Sequence, residues 1–245
     1  MSPDAYVEMA EIEASHWWFR GRRAILSRLI EDMKLKPETR VLEIGAGTGG
    51  NLEMLASFGS VSAMEMDDGA RSIATAKTNG RFDIRAGSFP GAIPFTRERF
   101  DLICLFDVLE HIDADVETLR GVGALLAEGG RVIVTVPAYA WLWSAHDEFM
   151  HHKRRYSAQS LERAAVAAGY RVQFLSYFNT LLFPAAALAR LKDRWLGKSP
   201  ARAAHVPPKP LNHLLGAIFG SERFIVPRLK LPFGVSLVCV LRTRL

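Results

Sequence analysis

The sequence predicts an α/β fold in which a mostly parallel sheet is covered by helices on both faces, and three observations carry that prediction. Short apolar runs alternate with helical patterns between residues 41 and 136. The first of these runs enters a glycine-rich turn and then a helical pattern. The fourth, Phe100–Phe106, is apolar at nearly every position, as a strand buried on both faces must be.

The elements follow in order. Residues 8–33 carry apolar side chains at helical spacing, including Ile25, Leu26, Leu29 and Ile30, around the cluster His16-Trp17-Trp18-Phe19-Arg20. Pro37 ends that stretch. Val41-Leu42-Glu43-Ile44 reads as a strand that enters Gly45-Ala46-Gly47-Thr48-Gly49-Gly50, with a helical pattern at Leu52, Leu55 and Ala56. Strands are expected at 61–65, 82–86 and 100–106, helices at 70–78 and 115–126, and a fifth strand at 131–136 behind Gly129-Gly130. Beyond Pro137 a loop rich in aromatics and histidines runs to Tyr156, followed by a helix at 158–168 and a strand at 170–178. Two amphipathic pieces, 181–196 and 211–219, flank a loop containing Pro200, Pro207, Pro208 and Pro210, and 234–241 forms a last strand. One domain over 1–245 is expected: an N-terminal helical lid at 1–36, a core at 37–180, a helical insertion at 181–230 and the final strand at 231–245.

Charge is unevenly placed. The formal net charge is +5, yet residues 181–245 hold 11 Lys/Arg against the two acids Asp193 and Glu222, so the preceding part is near −4. The basic tail has no interleaved stacking aromatics of the RNA-binding kind, so nucleic acid is not expected. Leu181, Leu188, Leu191 and Trp195 share one helical face, and Leu211, Leu214, Leu215, Ile218 and Phe219 make a second stripe. Such stripes beside Arg190, Lys192 and Arg194 suit an anionic membrane surface, although covering the sheet or a homodimer contact is the commoner use. The longest apolar stretch there, 181–189, is far below the ~20 residues needed to cross a bilayer. With no basic and apolar leader at the start, a cytoplasmic protein is expected, with contact at the inner membrane face through the insertion. Cys104 and Cys239 lie in apolar runs and read as free, buried thiols.

Function is legible first in the glycine turn. Glycines between a strand and a helix let backbone approach a ligand and point free N–H groups at its polar atoms. Gly45, Gly47 and Gly50 also satisfy the dinucleotide spacing, and Glu65, at the end of the second strand, can take ribose hydroxyls in either case. An NAD(P)-dependent oxidoreductase and a noncatalytic membrane adaptor are therefore the alternatives.

The longer pattern discriminates. Val41 to Gly49, then Phe100-Asp101-Leu102-Ile103-Cys104 leading to Val108-Leu109-Glu110-His111-Ile112, then Gly129-Gly130-Arg131-Val132-Ile133-Val134, resemble class I S-adenosylmethionine-dependent methyltransferases in order and spacing. The resemblance implies a seven-stranded Rossmann-like sheet with an antiparallel last strand, and S-adenosylmethionine as cofactor. It implies that Glu43, Gly45, Ala46, Gly47 and Gly49 form the first cofactor motif, that Glu65 holds the ribose and Met66 lies by the adenine. Ser88 stands where many members carry an acid for the adenine amine, and Phe106 and Asp107 would lie under the methionine end. The HWWF opening and the segment His146-Asp147 to His151-His152-Lys153-Arg154-Arg155-Tyr156 are similar to a bacterial subgroup of these enzymes. Asp107-x-x-Glu110-His111 also resembles ubiquinone-pathway O-methyltransferases, for which a divalent cation has been proposed.

Methyl transfer from a sulfonium is an in-line displacement, so orientation in a dry site is the main requirement. The expected reaction is methylation of a small-molecule or lipid-linked acceptor at oxygen, with His111, His146 or His151 as general base. His146 and Asp147 suggest an ordered pair orienting a base. Trp17 and Trp18 can close over the site, and His152, Arg154, Arg155 and Tyr156 can bind an anionic group on the acceptor. A metal set of Asp107, Glu110 and His111 is conceivable, but one helical turn of this kind more often supplies caps and salt bridges, so no metal is assigned.

Overall fold

A computed structural model describes residues 3–196 and 206–244 of the chain, and side chains from residue 5 to 192 and from 206 to 244. Where one helical segment was expected at 8–33 there are two helices, α1 (Pro3–Ile12) and α2 (Trp17–Glu31). The break falls at His16, whose extended backbone and ring nitrogen, accepting from Trp18 N at 3.2 Å, cap the second helix.

The core then alternates: β1 (Arg40–Ile44), the single turn α3 (Leu52–Leu55), β2 (Ser60–Glu65), α4 (Asp68–Lys77), β3 (Asp83–Ala86), β4 (Phe100–Phe106), α5 (Asp115–Gly123) and β5 (Leu126–Pro137). A short helix, α6 (Ala145–Phe149), interrupts what was expected to be loop; Ser144 and Asp147 cap it reciprocally. α7 (Ala158–Ala167), β6 (Tyr170–Phe178), α8 (Phe183–Leu196), α9 (Lys209–Ser221) and β7 (Ser236–Thr243) complete the described chain. Strand β5 starts earlier than its glycines suggested. Its pairing with β4 shifts between Phe100 and Leu102, which leaves Ala127 to Gly130 as a bulge.

The seven strands are ordered β3-β2-β1-β4-β5-β7-β6, and only β7 runs antiparallel to its neighbours. Strand periodicity sorts the side chains into two cores. Leu42, Ile44, Ile103, Leu105, Val132 and Val134 face α5 and α7, whereas Val41, Leu102, Cys104, Phe106 and Ile133 face α2 and α9. Each fully buried aliphatic contributes about 1.5–3 kcal/mol, so both layers are needed to hold the sheet. Cys104 and Cys239 are buried on opposite faces.

The insertion divides in two. Helix α9 packs on α2: Phe219 is fully buried, a Cβ on Gly21 would lie 2.3 Å from its ring, and Asn212 bonds both Trp17 N and Ser15 O at 2.9 Å. Helix α8 keeps Leu188 (67%) and Leu191 (45%) exposed. Glu222 ties down the base of α8, accepting from the N–H groups of Asn179, Thr180 and Leu181 at 2.7–2.8 Å. Pro200 and the side chains of Arg194 and Trp195 lie outside the described residues. Among the described residues no helix is long and apolar enough to cross a membrane.

Candidate active site

The carboxyl ends of β1, β2, β4 and β5 form one edge, where an open α/β sheet takes its ligands. Gly45, Gly47 and Gly49 have φ of +70°, +54° and +79°, the left-handed region that glycine enters without strain. A Cβ on Gly45 would stand 2.6 Å from Val108, so the turn is also a close approach. Glu65 is buried at the end of β2 and accepts from Gly47 N at 2.8 Å and Asp67 N at 3.0 Å. Met66 beside it is 71% exposed, an apolar side chain on the rim. Ser88 exchanges backbone hydrogen bonds with Ala92 at 2.8 Å.

Glu43 lies beneath the turn. One carboxylate oxygen accepts from Asn51 at 2.7 Å, while the other is buried with no partner. Burial pushes its pKa up to about 8, although the Asn51 bond and Arg22 favour the charged form. An unpartnered buried carboxylate oxygen beside a left-handed glycine turn fits a ligand that brings positive charge and a ribose. S-adenosylmethionine supplies a methyl group activated on a sulfonium, and Glu43, Glu65 and the turn are the groups that would hold it. Phe106 is buried at the end of β4. Asp107 follows at φ 57°, its carboxylate taken by Arg22 and by the Thr135 hydroxyl at 3.2 Å.

The N-terminal helices reach this loop, but not through the residues singled out in the sequence. Trp17 packs edge-on against Phe219, and Trp18 stacks beneath the Arg22 guanidinium at 4.7 Å. The residues over the cofactor loop are Tyr6, whose hydroxyl bonds Glu65, Met9 near Gly47, and Glu13, which accepts from the Thr48 hydroxyl at 2.8 Å and pairs with Lys77. Burial and the Glu65 charge push the Tyr6 hydroxyl pKa up.

On the acceptor side, residues 144–156 fold back onto the turn Leu109–His111, with Lys153 N donating to Glu110 O at 2.8 Å. Asp147 orients an imidazole, yet that imidazole is His152 (2.9 Å) and not the adjacent His146. Arg155 grips the same carboxylate at 2.7 and 2.9 Å. Burial opposes ionisation of Asp147, but these bonds outweigh it and hold its pKa well below the carboxylate range. Arg155 is 5% exposed, Arg154 bonds Asp115 at 3.1 Å, and the Tyr156 hydroxyl donates to Asp115 at 2.9 Å. The expected anion-binding forks are thus filled by the chain's own acids, because folding the loop back brings Asp113, Asp115 and Asp147 to them.

His111 stands 4.8 Å from His152, and His146 6.2 Å from His152, between ring centroids. His151, at φ 57°, is exposed on the rim. Burial, aided by His152, lowers the His111 pKa to about 4. Asp107 does not join the set that could hold a metal; Glu110, His111 and His152 do. The same carboxyl edge carries a wall the sequence reading missed. Tyr139 stacks on Tyr177 at 5.1 Å, Phe183 lies 5.9 Å from Tyr139 and 6.0 Å from Trp141, and Phe233 adjoins Phe183 at 5.5 Å. Trp141 and Phe233 are 45% and 43% exposed.

Comparison with known proteins agrees with this fold. The model of a methyltransferase-domain family matches residues 16–174. No curated protein matches the chain. Among solved structures, a Haloferax volcanii chain from a complex between the Trm112 methyltransferase activator and a methyltransferase is similar at TM-score 0.64 and 17% identity, covering 100% of this chain and 98% of that one. A Thermotoga maritima S-adenosylmethionine-dependent methyltransferase is similar at 0.59 and 18%, covering 98% and 100%. A TehB-like enzyme of the same class from Corynebacterium glutamicum follows at 0.54 and 14%, covering 89% and 87%. At these identities the structures speak for the fold alone, and the family match is what sets the dinucleotide and noncatalytic alternatives aside. The match runs from the His16 cap through the glycine turn to β6, and the chain belongs to the methyltransferase-domain family as an S-adenosylmethionine-dependent methyltransferase.

Proposed function

We propose that the chain methylates a hydroxyl oxygen on an acceptor with an apolar body, small or lipid-linked. The observation that carries this reading is the half-exposed aromatic wall of Tyr139, Trp141, Phe183 and Phe233, which shares the carboxyl edge with the imidazoles of His111, His146 and His152. Aromatic faces bind an apolar body, and an imidazole can take a hydroxyl hydrogen. Tyr6, Met9 and Glu13 cover the cofactor loop, so α1 acts as the lid and excludes water.

Exposed Leu188 and Leu191 on α8, with Leu211 and Leu214 on α9, lie among Arg190, Lys192 and Lys209, and support peripheral contact with an anionic membrane from which such an acceptor is drawn.

The test is transfer of labelled methyl from S-adenosylmethionine to separated lipid and small-molecule extracts. Label in an organic-phase methyl ether, with Trp141→Ala raising KM several-fold and leaving S-adenosylhomocysteine affinity unchanged, is the expected result. Label confined to water-soluble amines refutes it. Cosedimentation with anionic but not neutral liposomes, weakening as salt rises, checks the membrane contact; equal failure with both removes it.

A further inference from the structure

Glu110 is fully buried, and neither of its carboxylate oxygens has a hydrogen-bond partner. Leaving a buried acid in this condition is costly, whether charged or neutral, unless something not yet counted meets it. Its surroundings are polar. His152 Nε2 lies 4.0 Å from one of the orphaned oxygens, and the rings of His111 and His152 meet at 78°. One carboxylate oxygen and one nitrogen from each imidazole all lie within 4.8 Å of one another. Ligands about 2.0–2.2 Å from a tetrahedral ion are separated by roughly 3.3–3.5 Å, so a side-chain contraction of about 1 Å brings the three onto one centre.

The His152 imidazole is also prepared as a ligand. His152 Nδ1 is bonded to Asp147, which Arg155 and Ser144 clamp in turn, and this turns Nε2 toward Glu110. A carboxylate on the far nitrogen is the outer-shell arrangement that fixes tautomer and direction in metal-binding histidines.

We propose that Glu110, His111 and His152 bind a divalent cation of the borderline class, such as Zn2+, Co2+ or Mn2+. Two imidazoles and one carboxylate favour this class over Mg2+ and Ca2+, which prefer oxygen. The cation satisfies Glu110, and three protein ligands leave a position open toward the carboxyl edge. Resting on the oxygen-acceptor reading, that open position takes the acceptor hydroxyl and lowers the cost of its deprotonation, the proton leaving to solvent at the carboxyl edge.

Cation binding is tested without any acceptor, so its failure is separable from failure of that reading. Zn2+ and Co2+ are titrated calorimetrically into chelator-treated full-length protein. One equivalent at micromolar affinity or tighter, with a visible four-coordinate Co2+ spectrum, is expected. Glu110→Gln and His152→Ala should each weaken binding about 100-fold, and Asp147→Asn about 10-fold or more, whereas exposed His213→Ala should leave it unchanged. Retained S-adenosylhomocysteine binding certifies each variant as folded, and His152→Ala serves if Glu110→Gln is not. Absence of stoichiometric binding, wild-type affinity in both ligand variants, or preference for Mg2+ over Zn2+ overturns the assignment and leaves Glu110 as a buried neutral acid.

Discussion

Glu43 allows cofactor binding to be followed in protons. Its pKa is pushed up to about 8 by burial, with one oxygen on Asn51 and the other unpartnered. At pH 7 such an acid is about nine-tenths protonated, and ionising it costs about 1.4 kcal/mol. A ligand that brings an ammonium to the free oxygen must draw out that ionisation. Binding of S-adenosylhomocysteine is therefore expected to release up to about 0.9 proton at pH 7, and its affinity should rise up to about tenfold per pH unit between 6 and 8 before levelling. Calorimetric titration in two buffers of different ionisation enthalpy measures the release. In Glu43→Gln the release should vanish, the pH profile should flatten, and affinity at pH 8 should fall by about 1.5–3 kcal/mol, the range of a charged hydrogen bond. Free-protein stability supplies a second sign. An acid whose folded pKa is raised stabilises below its unfolded value of 4.5, and that contribution is lost as pH climbs through about 8, an upper bound of about 5 kcal/mol. The wild type should weaken over that window relative to Glu43→Gln. Identical heats in both buffers, with pH-independent affinity in the wild type, would refute the placement of Glu43 against the cofactor's positive end.

Three further outcomes follow from the packing. Gly45→Ala places a Cβ 2.6 Å from Val108 at φ +70°, so a loss of about 2–4 kcal/mol in urea unfolding is expected together with loss of S-adenosylhomocysteine binding; a change below about 0.5 kcal/mol contradicts it. Gly21→Ala drives into the Phe219 ring and should cost about 1–3 kcal/mol and speed amide exchange in α9, which distinguishes a docked helix from a separate appendage. Glu222→Ala strands three backbone donors under α8 and should cost about 1–3 kcal/mol, read as a lower midpoint in denaturant.

The alternation of strands and helices, the glycine turn and the acid after β2 were legible because they are local. Backbone dihedrals at Gly45, Gly47 and Gly49 restrict the residue type at those positions, and the period of two in β1 and β4 states which side chains enter which core. Element ends were less so: the bulge in β5 and the break at His16 depend on pairing and capping that the apolar period does not encode. Much of the candidate site depends on partners distant in sequence. Arg22 reaches Asp107 across 85 residues and Lys77 reaches Glu13 across 64. His146 stands next to Asp147 in the chain, yet the fold of the loop gives that carboxylate to His152 and Arg155. A sequence states which side chains can hydrogen-bond or ionise, and its periodicity states which face a core. Which of those groups meet, which keep an unpartnered oxygen as Glu43 and Glu110 do, and which aromatic rings assemble into a wall were decided by tertiary packing, because proximity between distant segments is a property of how helices and loops close over the sheet.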